Sequence, residues 1–270
     1  PQYGYGTFPN VYTALEVERL VNASGPTGGA VVLRDGRHPK AIGIIHCVGS
    51  RDIKYNVDCS AICCMQSLKF AHLVKEKTGA KVYNFYIDIR TPGKTYDEFY
   101  RRIMDEGVHF IRGKVGEVTD APRFPGEEGK LIIQVEDTLA GRQLRVPVDL
   151  VVLSAAMQPR ADSKEVGQKF GISCSANGWF IERHPKLDPV ATMTEGIFIA
   201  GVCQGPKDIP ATVSQGAAAA ARVLSLIGQK QVTLEPVRAS INQDQCSGCR
   251  ICNNLCPFNA ITFIEDRAVS

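Results

Sequence analysis

The sequence predicts an α/β protein in which a doubly wound parallel sheet is followed by a small cysteine-rich module. An apolar run at 41–45 predicts a buried strand, and a helical pattern over about 60–78 follows it. Strand and helix patterns continue to alternate as far as residue 112. This alternation indicates a parallel sheet, because parallel strands need crossover connections that run over the faces of the sheet.

The composition is that of an ordinary globular protein with an unusual number of cysteines. Of the 270 residues, 44% are hydrophobic and 22% are charged, and the net charge of +3 is too small to indicate a nucleic-acid or membrane-surface partner. No apolar run approaches the length of a membrane span, and no signal peptide is visible, so we expect a cytoplasmic protein. Ten cysteines without secretory features favour metal or redox chemistry over disulfides.

The apolar pattern also places the individual elements of the first half. We expect strands at 31–33, 41–45, 82–89 and 108–112, and helices within 1–29 and over 60–78 and 96–106. Gly79 and Gly107 follow two of these helices, and a glycine in this position commonly ends a helix.

The second half begins with an excursion from the main sheet. Short strands around turns over 114–153 predict an antiparallel segment, after which a buried strand at 149–156 returns to the sheet. A further strand is expected at 196–201. A long alanine-rich helix is expected at 210–227, with Asp208 suited to its start.

The strongest chemical signal is a run of cysteines near the C-terminus. The run consists of Cys246, Cys249, Cys252 and Cys256, followed by Pro257. This spacing ligates [4Fe–4S] clusters in bacterial ferredoxins. A zinc site would need paired C-x-x-C units with a longer spacer, which the run lacks. The sequence therefore predicts a small ferredoxin-like iron–sulfur module.

The extent of that module depends on how its fourth cysteine is used. In two-cluster ferredoxins the fourth cysteine of such a run binds the other cluster. No second motif follows before Ser270, so either one cluster takes all four thiolates or the chain stops within a two-cluster module; the second interpretation is favoured. We expect Gly248 to keep the turn open and Pro257 to direct the chain into a short helix.

A second and less regular set of cysteines follows the first long strand. It consists of Cys47, Cys59, Cys63 and Cys64. Three of them are expected on one helix, with Cys59 and Cys63 on one face, and Cys47 is expected at the strand end that opens into the same crevice. Spacing alone leaves two interpretations open: ligation of a metal centre, or buried core thiols. Cys174 and Cys203 have no other cysteines near them in the sequence, and we expect both to be structural.

A third signal combines a strand end with a helix start. The buried strand at 150–156 and the segment 194–201 are followed by the helix at 210–227. The N-terminus of a helix offers backbone N–H groups and a positive dipole to an electron-rich ligand. Two ordinary buried strands and a packed helix explain the pattern equally well, and spacing does not choose between the two.

At these residues the chain resembles a known family. The shared segments are SGPTGG (24–29), HCVGSRD (46–52), the cysteines of 59–64, LDPVATMTEGIFIAGVCQGPKDIP (187–210) and the C-terminal run. Together they closely resemble the A subunits of heterodisulfide reductases over essentially all 270 residues. The resemblance implies a flavoprotein of the thioredoxin-reductase type, with a Rossmann-like parallel sheet and several [4Fe–4S] clusters. Such subunits distribute electrons within an oxidoreductase complex and often bifurcate them.

The resemblance also implies roles for particular residues. It assigns Cys47, Cys59, Cys63 and Cys64 to a cluster beside the flavin, and it places Lys69 as a cation near the isoalloxazine, where a solvated helix lysine is the alternative. The implied flavin-contacting residues are Gly201, Val202, Cys203, Lys207, Asp208, Ile209, Pro210, Ala211 and Thr212. Related reductases have an aspartate directly after the equivalent of Gly201, so Val202 implies a different contact to the ribityl chain.

The resemblance implies four regions in the chain. Residues 1–40 would belong to the flavin domain, 41–150 would form a Rossmann-like cluster-bearing domain in place of an NAD(P)H domain, 151–228 would return to the FAD-binding domain, and 236–270 would form a truncated ferredoxin-type module. The family holds the ADP half of FAD on a G-x-G-x-x-G loop that this sequence lacks. FAD is therefore expected of an intact subunit with a further N-terminal part, and the chain alone is not expected to be active.

The implied partners are other heterodisulfide reductase subunits, a hydrogenase or dehydrogenase that donates electrons, and ferredoxin. A homodimer is compatible with the resemblance, and neither a nucleic acid nor a membrane span is expected. Two other functions compete with this one. A pyridine-nucleotide disulfide oxidoreductase would need a catalytic cysteine pair and a nucleotide loop, and a structural zinc module would leave the cysteines without redox chemistry.

Overall fold

The structure, a computed structural model, describes residues 2–228, 239–256, 260–265 and 267–269. The chain divides into two compact units, Pro1–Met157 and Gln158–Ser270. The parallel sheet and the first cysteine set belong to the first unit, and the C-terminal cysteine run belongs to the second.

The first unit is built on a parallel sheet with helices on one face and a small antiparallel sheet on the other. Its strands are β1 (Val11–Thr13), β2 (Ala41–Val48), β3 (Lys81–Tyr86), β4 (His109–Arg112), β5 (Val115–Thr119), β6 (Leu131–Asp137), β7 (Arg142–Val148) and β8 (Leu150–Ala155). Its α-helices are α1 (Ala14–Val21), α2 (Cys63–Thr78) and α3 (Tyr96–Asp105).

The main sheet of this unit has the order β1-β8-β2-β3-β4 among the described residues, and every neighbouring pair is parallel. Ile44 on β2 pairs with Val152 on β8 and with Asn84 on β3, which fixes the register at the centre of the sheet. The predicted parallel sheet is confirmed, but helices cover only one of its faces, so the sheet is not doubly wound. The carboxyl ends of β8, β2 and β3 therefore lie side by side, the usual place for a functional site in an open α/β sheet.

Two apolar cores cover the two faces of this sheet. On one face, residues such as Ile42 and Val82 pack against the helices through Leu68 and Phe70 of α2. On the other face, Ile45 and its neighbours pack against the antiparallel sheet formed by β5, β6 and β7. Alternate residues of each strand point to opposite faces, so the buried pattern of β2 supplies both cores.

Several predicted elements of the first unit need correction. Residues 31–33 form no strand, although Val31 and Leu33 are buried. The chain turns back here, with Leu33 accepting from the N–H of Gly36 and donating to the carbonyl of Arg37. The strand predicted at 82–89 ends at Tyr86. Residues 11–21 form β1 and α1, β1 pairs with β8 in this sheet, and the first compact unit ends at Met157.

The second unit contains less regular structure in its described residues. Its helices are α4 (Ser163–Phe170), α5 (Ile209–Gly228) and α6 (Ile251–Leu255), and its paired strands are β9 (Thr262–Ile264) and β10 (Arg267–Val269). The strand predicted at 196–201 is absent. This apolar segment makes only the isolated bridge between Phe198 and Ala191, and Gly201 begins a short 3₁₀ turn.

The long helix α5 is confirmed at almost the predicted bounds. Asp208 stands at its start and accepts a hydrogen bond from the backbone N–H of Ala211 at 2.9 Å. None of its residues is buried within the described chain, although Val213, Leu224 and Ile227 are large and apolar. No helix among the described residues combines the length and the apolar character needed to cross a membrane.

Candidate metal centres

The end of β2 carries Cys47 in an unusual backbone conformation. Its φ of +55° is left-handed, and the register of β2 shifts between Ile45 and Val48. The carbonyl of Cys47 then accepts a hydrogen bond from the N–H of Ser50 at 3.3 Å, which closes the turn. A left-handed non-glycine residue is strained, and such strain is common where a side chain must be aimed at a functional site.

The thiols of Cys47, Cys63 and Cys64 lie together in the interior of the first unit, where all three are buried. The thiol of Cys63 lies close to the sulfurs of both others. Its interaction with them lowers the pKa of Cys47 to about 6 and that of Cys64 to about 4, whereas burial raises the pKa of both. The pKa of Cys63 is raised by the same two interactions and by burial. Stabilised thiolates are the form in which cysteine binds a metal.

The helix start explains how adjacent cysteines can face the same place. Helix α2 begins at Cys63 rather than near Ser60, because Ala61 has a left-handed φ of +57° and interrupts the helical path. Cys63 and Cys64 are therefore the first two helical residues. The helix has no side-chain cap at Ile62, so its first N–H groups and its positive end face the region of the thiols.

The expectation that Cys59 lies on the helix is wrong. Cys59 is half-buried in the loop before α2, and its sulfur accepts a hydrogen bond from the N–H of Ala61 at 3.4 Å. The same left-handed residue that delays the helix thus turns its N–H toward Cys59. No shared helical face links Cys59 to Cys63.

Arg51 connects Cys59 with the buried thiols. Its guanidinium donates to Asp88 at 2.8 Å, which raises the pKa of Arg51, and the sulfurs of Cys47 and Cys59 raise it further, while burial opposes both. The backbone carbonyl of Asp88 is 3.6 Å from the sulfur of Cys64. Arg51 therefore interacts electrostatically with both Cys47 and Cys59. The backbone of Asp88, its ion-pair partner, contacts Cys64.

Buried polar atoms also surround these thiols. The Nδ1 atom of His46, the hydroxyl of Ser50 and the Nδ2 atom of Asn84 are buried without a hydrogen-bond partner among the described residues. Leaving such groups unpaired costs about 1–3 kcal/mol each. Three thiols, a cation and spare polar atoms in one buried place are the donor set that suits an anionic sulfur-containing cluster.

These residues suit a cluster better than a single ion. Within the described ranges, no group of three or more histidine, cysteine, aspartate or glutamate side chains is arranged so that it could hold one metal ion. In a four-iron cluster each thiolate binds a different iron, so its ligands need not meet around one point. The alternative of a structural zinc ion has no support from this geometry.

The C-terminal cysteine run forms a compact loop in the second unit. Gly248 and Arg250 adopt left-handed φ angles of +70° and +62°, which let the chain wind closely between Cys246 and Cys252. Cys252 lies on α6, and Cys256 follows the end of that helix.

Backbone N–H groups point at the sulfurs of this run. The N–H of Ala268 is 3.4 Å from the sulfur of Cys246, and the N–H of Ala260 is 3.4 Å from that of Cys256. A backbone hydrogen bond at Ile251 is the largest influence that lowers the pKa of Cys249. Four cysteine thiolates hold a cluster of this type, and N–H donors to their sulfurs help to set its reduction potential, so the residues fit the predicted cluster. Pro257 lies outside the described residues, and the short helix precedes it.

Lys69 has a partner of its own in the first unit. Its ammonium forms an ion pair with Glu18 of α1, and it lies 4.9 Å from the centre of the Phe70 ring. The side chain is about half exposed. These contacts match the alternative of a solvated helix lysine, and a flavin role for Lys69 stays a prediction.

The segment predicted to contact a flavin forms a turn and a helix start in the second unit. The N–H of Gly201 donates to the side chain of Gln215 at 2.7 Å, and Lys207 donates to Gln204 at 3.1 Å. Val202 and Cys203 are exposed. Ile209, Pro210 and Ala211 at the start of α5 are exposed as well, whereas Asp208 and Thr212 are half-buried. The structure thus presents this surface without showing what covers it.

Sequence reasoning missed His46, Asn84 and Arg51. His46 and Asn84 interrupt apolar strands, and a polar residue inside a buried strand is a signal that could have identified them. Arg51 lies in the loop between Cys47 and Cys59, where nothing in the local pattern distinguishes it from a surface arginine.

Comparison with known proteins places this geometry in a class. A model of the 4Fe-4S binding domain matches residues 239–262. The crystal structure of thioredoxin reductase from T. acidophilum matches with a TM-score of 0.50 and 13% sequence identity, over 83% of this chain and 60% of that chain. The chain is therefore an iron–sulfur protein with a thioredoxin-reductase-like fold.

Closer relatives define the family. The iron-sulfur A subunit of CoB–CoM heterodisulfide reductase from Methanocaldococcus jannaschii is 47% identical over 268 residues, which is 98% of this chain and 40% of the relative. The A subunit of H(2)/formate:CoB-CoM heterodisulfide,ferredoxin reductase from Methanococcus maripaludis is also 47% identical, over the same shares of each protein. The chain belongs to this family of heterodisulfide reductase A subunits and spans about 40% of the length of these relatives.

Proposed function

We propose that the chain carries electrons one at a time through [4Fe–4S] clusters, within a complex of the heterodisulfide reductase type. The observation that carries this proposal is the meeting of Cys47, Cys63 and Cys64 at the carboxyl end of the parallel sheet. A cluster bound there and a second on the C-terminal run would supply one-electron redox chemistry. Cys59, across the loop from the three thiols, completes the proposed ligand set.

The surroundings of the thiols suit this task. Burial keeps water away from the sulfurs, and the start of α2 offers its positive end to them. Arg51 adds a fixed cation, held by Asp88 at 2.8 Å. These groups stabilise thiolates in a place that solvent does not reach, which is the condition for holding an oxygen-sensitive group.

The flavin part of the proposal rests on the second unit. There the turn at 201–203 precedes the start of α5, and a helix N-terminus suits the electron-rich edge of a flavin. FAD would exchange electrons in pairs on one side and singly on the other, which connects hydride-type donors with clusters. Lys69 is proposed as a cation near the ring in the intact protein.

The partners are proposed from the relatives' names. The relative from Methanococcus maripaludis is named for hydrogen, formate, heterodisulfide and ferredoxin, so a hydrogenase or formate dehydrogenase and ferredoxin are the proposed electron partners. Other heterodisulfide reductase subunits would complete the complex. We further propose that the protein works in the cytoplasm, that the electrons bifurcate at the flavin, and that the protein can pair as a homodimer.

Stepwise anaerobic reduction tests the proposed electron transfer. We would use a Cys249→Ser, Cys252→Ser background, which removes the C-terminal cluster, and follow reduction by absorbance and electron paramagnetic resonance. A cluster that takes up one electron should remain in this background and disappear when Cys47→Ala and Cys59→Ala are added. A background variant without any reducible cluster would refute the proposal for the buried cysteine set.

A further inference from the structure

A row of buried polar residues crosses the main sheet directly below the start of α2. Ser154, His46 and Asn84 lie near the carboxyl ends of β8, β2 and β3, which are neighbours in the sheet. They continue the alternation that turns Ile42, Ile44, Val82 and Val152 toward the helices, so they lie on the face that carries α2. All three are at least 95% buried. An ordinary core would place apolar side chains at these positions.

Two members of this row form a fixed pair. The Nε2 atom of His46 lies 3.0 Å from the Oδ1 atom of Asn84. Because a carbonyl oxygen can only accept, His46 must donate, which fixes the proton on Nε2 and the direction of the ring. His46 directly precedes Cys47 at the end of β2, so the paired ring lies next to the buried cysteine set.

The amide nitrogen of Asn84 is left with two N–H donors and no acceptor among the described residues. Its side chain is fully buried, so water does not satisfy it from the surface. Ser154, in contrast, is paired with Ser67 of α2 through an oxygen–oxygen distance of 2.7 Å. One end of the row is therefore satisfied within the protein, and the end beside His46 retains a spare donor.

We propose that Asn84 is a positioning residue for the buried cysteine set: its carbonyl fixes the ring of His46 next to Cys47, and its amide donates to a sulfur of the bound cluster, which raises the reduction potential of that cluster. This inference rests on the proposed function. A donor to sulfur stabilises the reduced cluster, which carries one more negative charge, more than the oxidised one. Removal of the donor lowers the midpoint potential.

The test is a redox titration of the anaerobically reconstituted chain, monitored by electron paramagnetic resonance and accompanied by iron and sulfide counting. Asn84→Leu removes the amide with little change in volume, and Ser154→Ala is the matched control from the satisfied end of the same row. We expect a lower midpoint potential for the buried cluster in Asn84→Leu, or loss of that cluster from a chain that keeps its circular dichroism spectrum. Ser154→Ala should keep the wild-type potential.

Equal potentials in Asn84→Leu and the wild-type chain would overturn the inference, and so would an equal decrease in Ser154→Ala. If Asn84→Leu does not fold, Asn84→Ala is titrated in its place and judged by the same outcomes, because it also removes the amide and adds no bulk. If a variant that lacks both Cys47 and Cys59 has the same iron content as the wild-type chain, the proposed function is refuted instead. The two failures are therefore distinguishable.

Discussion

The thiol of Cys63, at the start of α2, lies close to the sulfur of Cys47, at the end of β2, and lowers the pKa of Cys47. The two residues reach this contact because Cys47 leaves the strand in a left-handed conformation and because the helix begins late, after left-handed Ala61. Adjacent Cys64 then lies in the same buried place. A strand end and a helix start thus deliver three thiols to the edge of the sheet where related folds bind their ligands.

The C-terminal cysteine run can be tested alone. Cys249→Ser removes one of the thiolates, and we expect the cluster absorbance and the iron content of the reconstituted chain to fall. Cys174→Ala, which changes a buried cysteine outside both sets, serves as the control and should keep the full iron content. An iron content in Cys249→Ser equal to that of the wild-type chain would contradict the assignment of this run as a cluster site.

The chain should bind NAD(P)H weakly or not at all. A phosphate loop joins a strand to a helix through closely spaced glycines, whereas here the long loop 49–62 separates β2 from α2, and Cys63 and Cys64 occupy the helix start. Titration calorimetry with NADH and NADPH should show no saturable heat. A reductase with an intact G-x-G-x-x-G provides the positive control, and a micromolar complex with this chain would contradict the prediction.

A buried ion pair between Arg145 of β7 and Glu127, in the loop before β6, should make stability depend on pH. Arg145 binds both carboxylate oxygens of Glu127 at 2.9 and 2.8 Å, and this hydrogen bonding lowers the pKa of Glu127 from its ordinary value of 4.5 to about 2. Because the folded pKa is depressed, the stabilisation is fully present above pH 4.5 and is lost as the pH falls toward 2.

The measurement compares chemical unfolding of the wild-type chain and Glu127→Gln between pH 6 and about pH 3, since the difference cancels the acid sensitivity that both share. The wild-type chain should be more stable at pH 6, and its advantage should shrink as the pH falls. An advantage that stays constant over this range would show that the carboxylate charge does not contribute.

Two glycines near β5 should respond differently to the same substitution. A Cβ atom at Gly113 would lie 2.0 Å from the backbone oxygen of Glu136, which cannot move without breaking the sheet. At Gly116 the nearest neighbouring atom, the backbone oxygen of Gln134, would be 3.8 Å away. We expect Gly113→Ala to lower the free energy of unfolding by about 1–3 kcal/mol or more and Gly116→Ala to have a much smaller effect. Similar unfolding midpoints for the two variants would contradict this.

The sequence predicts the main sheet because long apolar runs such as Ala41–Val48 alternate with helical patterns that are hard to mistake. It does not predict β1, because three strand residues run directly into α1. It overpredicts a strand at 196–201, where an apolar run pairs only through Phe198. Apolar content alone does not provide a partner strand.

The candidate site can be predicted only in part. The spacing of the cysteines identifies them. The first residue of the helix, however, depends on the left-handed conformation of Ala61, and the sequence does not indicate this conformation because the residue is not a glycine. The contact between His46 and Asn84 joins residues on separate strands. Such a pairing depends on sheet order and register, which local patterns do not contain.

Iron and acid-labile sulfide counting after anaerobic purification tests the central claim most directly. The wild-type chain is compared with the Cys47→Ala, Cys59→Ala double variant, and Cys174→Ala is the control. We predict that the double variant loses about four iron and four sulfide per chain, as expected for one [4Fe–4S] cluster, while the control loses none. A double variant with the iron and sulfide content of the wild-type chain would contradict the claim.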